Sequence, residues 1–556
     1  MVLVVHGVKL ALKGAKDVSA LRAAVAQQLS LGVDEIRQVD VVRRSVDARK
    51  RRGQGRGGDG IDIKLVYNLH VDLGDPALEA AVHTRLGDGA RPLQHHEPYQ
   101  PVRLPSEHAV FRDPALRRPI VVGSGPAGLF AAHTLALSGY RPVVLEMGPQ
   151  VERRAKDLMA FWKHNVLTPN SNGVFGEGGA GAFSDGKLTT RTSSPYHRFV
   201  HDALIKCGAK TNILFESRAH VGTDELRKII TKFSRDEITA SGGTFLYNSQ
   251  LSNVALSEGA VSHVTFTLRA CDLFLGTGHS SRAVYEHLHS AGVSMSRKDF
   301  AVGLRLQVSQ KYINKLHFGD EARNPELGPA EFTLKHSCAE TKRNVYTFCM
   351  CPGGVIVNAS HGGEEVAVNG MSYSTRGSRY ANSAFVVPVG GSDFDSYGDN
   401  DALSGLRFQQ HWERRCFEAG GGSYAAPAQR VVDYLGYSTD TSKRLPDHKF
   451  MGSLTSANLH DVLPDFVNTS LVEGINQFAR RMPGLAGPDT LLVGIESRTS
   501  APVRINRDPD TLESVNVRRL YPVGEGAGYA GGIMTACVDG VRAAEAMISR
   551  RVKECY

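Results

Sequence analysis

The chain has 556 residues, more than one ordinary core holds, so two or three domains are expected. Hydrophobic residues at 41% and charged residues at 22% exclude wholesale disorder, and a net charge of +8 permits an anionic ligand without demanding one. Eight cysteines in this length exclude a disulfide scaffold and fit a reducing compartment.

The opening "MVLVVHGVKLALKG" lacks the basic region, long apolar stretch and cleavage site of a secretory signal, and reads as a strand. The expected location is cytoplasmic, or the plastid stroma of a eukaryote after removal of a transit peptide. Residues 1–90 read as strand, helix, strand, strand, helix, which suits a ferredoxin-like α+β module. Between the paired strands, "RKRRGQGR" from Arg49 to Arg56 holds five basic residues in eight. It reads first as a solvated hairpin loop, with an acidic or nucleic-acid partner as the sharper alternative. No aromatic platform interleaves it.

Residues 91–118 hold five prolines and read as an extended linker. His95 and His96 belong to its polarity rather than to a metal site. Then comes "PIVVGSGPAGLFAAHTLALSGYRPVVLE", with no charged side chain between Arg118 and Arg141. Its length suits a membrane span, but its glycines do not. The stretch divides into a β-branched strand, a glycine turn, a helix ending at Gly139, and a second strand. In that setting Gly123-x-Gly125-x-x-Gly128 is a dinucleotide fingerprint. Gly123 allows the sharp turn, Gly125 with Pro126 and Ala127 brings backbone to a pyrophosphate, and Gly128 lets helix and strand pack closely. The helix start favours phosphate. Glu146 ends the second strand, 18 residues after Gly128, where it can accept from a ribose diol.

A second glycine loop, "SNGVFGEGGAGAFSDGKL", resembles the loop that many FAD enzymes pack near the pyrophosphate and flavin ring, and Gly178, Gly179 and Gly181 suit that role. Gly181-x-x-x-x-Gly186-Lys187 imitates a triphosphate loop, but Leu188 stands where Ser or Thr must hold magnesium, and no strand leads in. Lys187 remains a cofactor candidate. His197 and His201, four apart, lack a third ligand, and no metal is expected. Thr223 or Asp224 caps the next helix. The strand after it resembles the one that sets backbone groups against adenine in flavoproteins, near Leu251. Gly276-Thr277-Gly278 returns the chain to the cofactor. The alternative is a separate nicotinamide unit, disfavoured because no acidic residue ends a strand about 20 residues later. Near the C-terminus, strand, Gly524-Glu525, Gly531-Gly532-Ile533 and helix form a third segment. A helix start there suits the anionic N1 region of a reduced flavin. Three separated segments converging on one long ligand favour FAD over nicotinamide.

The strings "SVDARK", "GSGPAGLFAA", "GVFGEGGAGAFSDGKL", "HVGTDEL", "GTGHSSRAVY", "FCMCPGGVIVNAS" and "GIESRTSAPVRI" carry a resemblance over nearly the whole chain. It resembles the single-Rossmann FAD-dependent dehydrogenase-like proteins of bacteria and plastids, within the glutathione-reductase-like group. The resemblance implies FAD but no particular substrate.

The expected fold class is therefore α/β. A Rossmann-type FAD-binding domain spans 119–294 and 491–556. A mainly antiparallel β substrate domain is inserted at 295–490, and the ferredoxin-like module lies at the N-terminus. The expected activity is FAD-dependent oxidoreduction of a small organic molecule, with NAD(P)H as a transient co-substrate and no membrane span. The rivals are an RNA-binding flavoprotein, a non-catalytic FAD-containing assembly protein and a redox sensor. The candidate chemistry lies at Cys349, Cys351, Arg498 and His279. On a regular strand both cysteines face one side, about 6.6 Å apart, so a disulfide there is strained and labile. Their plainer reading is two reduced thiols packed beside a turn. Arg498 suits a carboxylate clamp or an ordinary ion pair, and His279 a proton donor or acceptor.

Overall fold

The computed structural model describes residues 2–14, 17–50, 61–93, 97–113, 117–257, 259–264, 268–269, 272–437 and 444–554. His95, His96 and residues 51–60, most of the basic stretch Arg49 to Arg56, lie outside the described residues. The chain forms two compact units.

The first unit comprises Met1–Tyr99, Lys210–His220 and Gln310–Ala330. Its elements are β1 (Leu3–Ala11), α1 (Val18–Leu29), β2 (Gln38–Lys50), β3 (Ile61–Asp72), α2 (Pro76–Leu86) and β4 (Ala90–Pro92). The sheet order β2-β3-β1-β4, antiparallel throughout, is the ferredoxin-like arrangement. Asp17 and Asp75 cap the two helices by accepting from Ser19 and Ala77 N–H groups. Alternate residues of β1 and β3, such as Leu3, Val5, Leu65, Leu69 and Val71, fill the core. The last strand, β4, carries no apolar signature of its own and was not expected. Segment 210–220 joins this unit through Arg44, whose N–H donates to the Phe215 carbonyl at 2.7 Å and whose guanidinium pairs with Glu216.

The second unit contains a five-stranded parallel sheet. Its early elements are β5 (Ile120–Val122), α3 (Pro126–Leu137), β6 (Val143–Leu145), α4 (Val151–His164), α5 (Tyr196–Lys206), α6 (Thr223–Lys232) and β7 (Thr244–Leu246). A small antiparallel sheet, β8 (Val254–Ser257), β9 (Ala260–Val264) and β10 (Leu268–Arg269), precedes β11 (Leu273–Leu275) and α7 (Arg282–Ser290). After the inserted segments, β24 (Leu520–Pro522) completes the order β24-β11-β5-β6-β7, and α12 (Ile533–Glu554) closes the chain. Because β11 lies between β5 and β24, it extends the first unit of the dinucleotide fold and opens no second one.

Helix α3 is buried from Ala127 to Ala136. That explains its missing charges: the sheet covers one side and α12 the other. Gly540 brings α12 so close that a Cβ on it would stand 2.1 Å from the Ala127 carbonyl oxygen. Among the described residues, no helix is long and apolar enough to cross a membrane.

The inserted region builds a seven-stranded sheet of order β14-β15-β18-β13-β22-β19-β21. Its strands are β13 (Phe300–Ser309), β14 (Lys335–Ser337), β15 (Asn344–Cys351), β18 (Tyr380–Val389), β19 (Ala426–Arg430), β21 (Leu454–Ser456) and β22 (Leu491–Glu496). All neighbours are antiparallel except β19 and β21. Strands β16 (Val355–Asn358) and β17 (Val368–Met371) follow β15 through a tight turn and pair beside this sheet.

Three expectations need correction. The inserted domain does not end at 490, because β22 pairs with β13 and β19. Residues 91–118 are not a free linker throughout: Val110 and Phe111 are buried, and the Phe111 ring meets Tyr140 edge-on at 5.1 Å. Neither Thr223 nor Asp224 caps α6, whose N-cap is Gly222 at φ 85°. The Thr223 hydroxyl instead donates to the Ala182 carbonyl at 2.8 Å, and Asp224 accepts from the Ser374 N–H and hydroxyl.

Candidate functional site

A cavity of about 520 Å³ lies in the second unit. One end is built from the first glycine turn. Gly123 has φ 92°, and a Cβ on it would lie 2.4 Å from the Gly276 carbonyl oxygen. Gly125 precedes α3 with no side-chain cap, so the N–H groups of the first turn remain for a ligand. Gly123, Gly125, Pro126 and Ala127 line the cavity. Gly128 does not: a Cβ there would stand 1.9 Å from the Gly123 carbonyl oxygen, so it sets the helix–strand distance.

Glu146 lines the cavity with a carboxylate already shared among backbone donors. Oε2 accepts from the Ser124 N–H at 2.9 Å and its hydroxyl at 2.7 Å, and Oε1 from Gly148 and Gly176 N–H groups at 2.9 and 3.2 Å. It therefore clamps both glycine turns from the cavity wall. Ser249, Gln250 and Leu251 form the next wall, and Gly276, Thr277 and Gly278 also line the cavity.

In the second loop, Gly179 and Gly181 line the cavity, whereas Gly178 holds the loop from behind. The Gly178 N–H donates to the Ser124 carbonyl at 3.0 Å, and a Cβ there would meet Ile230 at 2.6 Å. Sequence reading missed the organiser of this loop, Arg154. It is fully buried and donates to the carbonyls of Asn172, Gly176, Glu177 and Gly179. Burial lowers its pKa to about 9, which still leaves it charged. The resemblance to a triphosphate loop dissolves here, since Gly179–Phe183 is a short 3-10 helix with no strand before it. Lys187 lines the cavity, 2.8 Å from Asp185 Oδ2 and 4.0 Å from Cys351 Sγ.

The C-terminal segment supplies Glu525, Gly531, Gly532 and Ile533 to the wall. Gly524 is structural: its N–H donates to Asp539 at 2.7 Å, and a Cβ would meet Ala127 at 2.6 Å. Cβ atoms on Gly531 or Gly532 would meet nothing within 4 Å, so their backbone stands open at the start of α12. Burial pushes Glu525 up to about 7, Lys298 opposes this, and Cys349 adds to it. His279 Nδ1 stands 4.0 Å from Glu525 Oε2. Burial, with Arg498 nearby, lowers His279 to about 4, so its imidazole is neutral near pH 7.

The opposite wall comes from the inserted domain and includes Phe348, Cys349, His361, Asn369 and Arg498. Arg498 is held rather than free. Nε and Nη2 donate to Glu413 at 3.0 and 2.8 Å, and Nη1 donates to the Ala359 carbonyl at 2.9 Å. The same carboxylate takes Arg282 Nη2 at 2.6 Å. Burial alone would raise the Glu413 pKa, but the two guanidiniums hold it well below the usual carboxylate range. His361, Arg282 and Glu413 carry no motif and were missed. Among the described residues, His361 Nε2 is buried without a hydrogen-bond partner, and burial beside Arg498 and Arg282 keeps the ring neutral. Cys349 lines the cavity and Cys351 lies buried behind it; both thiols are free.

Among the described residues, no group of three His, Cys, Asp or Glu could hold a metal ion. Burial lowers both His197 and His201, the latter to about 4, which fits packing. The cavity fits FAD. An uncapped helix start and glycine backbone suit the pyrophosphate, a carboxylate suits the ribose, and open glycines before α12 suit the flavin.

Known proteins agree with that fit. Residues 299–499 match the family described as FAD-dependent protein, C-terminal domain-like. Residues 121–157 match an NAD(P)-binding Rossmann-like domain, and 5–54 match a domain of unknown function. An "Uncharacterized protein" of Clostridium beijerinckii is 40% identical over 539 residues, 96% of each chain. A geranylgeranyl bacteriochlorophyll reductase-like structure from Thermoplasma acidophilum covers 79% of this chain and 81% of its own, at 12% identity and TM-score 0.32. The L-amino acid deaminase of Proteus vulgaris covers 78% and 93%, at 10% identity and TM-score 0.31. Likeness that distant says nothing about substrate. The near-full-length relative and the matching domains establish that the chain belongs to this family of FAD-dependent flavoproteins, with FAD as its cofactor.

Proposed function

We propose that the protein is an FAD-dependent oxidoreductase acting on a small organic substrate between the flavin and the inserted domain, with a nicotinamide as transient electron donor. The observation that carries this reading is the continuity of one cavity. It runs from the Gly123–Gly125 turn to Cys349, His361 and Arg498. Bound FAD supplies two-electron transfer chemistry there.

In this reading Gly123, Gly125 and the start of α3 hold the pyrophosphate, Glu146 the ribose, and Ser249–Leu251 the adenine. Gly531, Gly532 and the α12 start hold the flavin end, where the helix dipole favours negative charge. Arg498, fixed by Glu413, offers the substrate wall a guanidinium that does not reorganise, its charge offset by that carboxylate. Neutral His279 and His361 can each accept or donate a proton during turnover.

The test is an anaerobic one. Purified holoprotein should lose its oxidised-flavin absorbance with NADH or NADPH and regain it with one fraction of a metabolite pool. Protein that takes up no flavin on reconstitution, or whose bound flavin resists nicotinamides, metabolites and light alike, would refute the reading.

A further inference from the structure

Cys349 and Cys351 sit on an irregular stretch of β15. Phe348 pairs with Ala384 and Cys351 with Asn382, so β15 carries one extra residue there, a β-bulge. Cys349 has φ 46°, a left-handed conformation rare for a strand residue. The bulge sets the two cysteines side by side, and the Cys351 S–H donates to the Cys349 carbonyl at 3.5 Å. Cys349 faces the cavity, while Cys351 is fully buried.

The surroundings are built around this pair. A Cβ on Gly370 would lie 2.8 Å from Cys351 Sγ, and one on Gly354 would lie 3.0 Å from Cys351 Cβ. Those Cβ atoms would stand closer still to Arg305 Nη1 and Asn382 Oδ1 at Gly370 and to the Met371 carbonyl oxygen at Gly354, so glycine at both places allows the close packing around the inner thiol. Lys187 Nζ approaches Cys351 Sγ at 4.0 Å, and Arg305 Nη1 donates to the Cys349 carbonyl at 3.2 Å. The Cys351 S–H supports a Cys349 thiolate, as do Lys187 and Arg305, against the opposing effects of burial and Asp185. Cys351, deeper and sharing its proton, is held up. A cavity-facing cysteine with a second thiol buried behind it is the arrangement of a redox-active pair.

We propose that Cys349 and Cys351 form a reversible disulfide that exchanges an electron pair with the flavin, giving the protein a second redox centre. This rests on the oxidoreductase reading and deepens it. In the oxidising direction the Cys349 Sγ–Cys351 Sγ bond forms and the Cys351 S–H bond breaks. The sulfurs lose two electrons, which oxidised FAD accepts. The Cys351 proton and one from solvent complete the reduced flavin. In the reverse direction reduced FAD returns the electron pair, the S–S bond breaks and the thiols regain their protons. A ring closed across one intervening residue is strained, which favours reduction of the disulfide by the flavin.

The experiment is an anaerobic dithionite titration of diamide-oxidised holoprotein, followed by flavin absorbance. Mass spectrometry of the peptide containing both cysteines is run beside it. The wild type should take up twice the reducing equivalents of the Cys349→Ser/Cys351→Ser protein. Its oxidised peptide should be lighter by two hydrogens and regain them as the titration ends. The Cys351→Ser protein should show a long-wavelength thiolate–flavin absorbance that Cys349→Ser lacks. Equal uptake by wild type and double variant overturns the proposal while leaving a reducible flavin and the oxidoreductase reading intact. A wild-type peptide that never loses two hydrogens overturns it without reliance on any variant. A flavin that no reductant bleaches overturns the oxidoreductase reading itself.

Discussion

Arg154 Nη1 donates to the carbonyl oxygen of Gly179 at 2.8 Å, so a residue outside the cavity holds a loop that lines it. The same guanidinium serves three other carbonyls and lies 4.7 Å from the Phe183 ring centroid. Arg154→Met leaves these carbonyls without a donor, at roughly 1–3 kcal/mol for each that stays buried. FAD affinity should fall by at least about tenfold, or about 1.4 kcal/mol. Fluorescence titration of apoprotein with FAD checks this, and an unchanged Kd would contradict it.

Gly128→Ala tests the helix–strand contact. Its Cβ would stand 1.9 Å from the Gly123 carbonyl oxygen, which is backbone and cannot swing away. Overpacking of this kind costs about 1–3 kcal/mol or more. The variant should unfold at lower temperature and emerge from purification without its yellow colour. Retention of stoichiometric flavin would refute the role.

His133 gives a pH prediction. Its ring is buried among Phe130, Phe199 and Phe233, and among the described residues neither nitrogen has a hydrogen-bond partner. Lys206 and Glu237 are its charged neighbours. Burial and then Lys206 lower its pKa from 6.5 to about 3. Below pH about 6.5 the unfolded chain binds a proton that the folded protein refuses. Stability should therefore fall as pH drops from 6.5 toward 3, and His133→Phe should reduce that slope. Urea unfolding at pH 7 and pH 5 measures it; parallel losses in both proteins would contradict the assignment.

Glu525 titrates in the opposite sense. Its pKa rises from 4.5 to about 7, chiefly through burial. Between those values the folded protein keeps a proton that the unfolded chain releases, so this group's contribution to stability falls as pH rises. The holoprotein's flavin spectrum should shift with a midpoint near pH 7, and Glu525→Gln should abolish the shift. A persistent transition would assign it elsewhere.

The glycine segments were readable because their requirements are local. Gly123, Gly278 and Gly524 all have positive φ, and a Cβ is excluded by the Gly276 backbone at Gly123 and by the Ala127 side chain at Gly524. The absence of charge on α3 was readable too, and the structure shows its cause in burial on both sides. The last ferredoxin-like strand was not, because β4 is three residues long and includes Arg91 and Pro92. The α6 cap failed because the Thr223 hydroxyl found the Ala182 carbonyl, a partner that spacing cannot reveal.

Sequence alone determined the dinucleotide fold, the three glycine segments that line one cavity and the antiparallel insert. Periodicity and glycine placement are short-range and survive without knowledge of the partner strands. Tertiary structure alone decided that Glu413 ties Arg282 to Arg498, that Arg154 organises the second glycine loop, and that β22 belongs to the insert. It also placed one thiol of Cys349 and Cys351 at the cavity and the other behind it. These arrangements depend on charges desolvated together and on strand register, which arise only when distant parts of the chain pack.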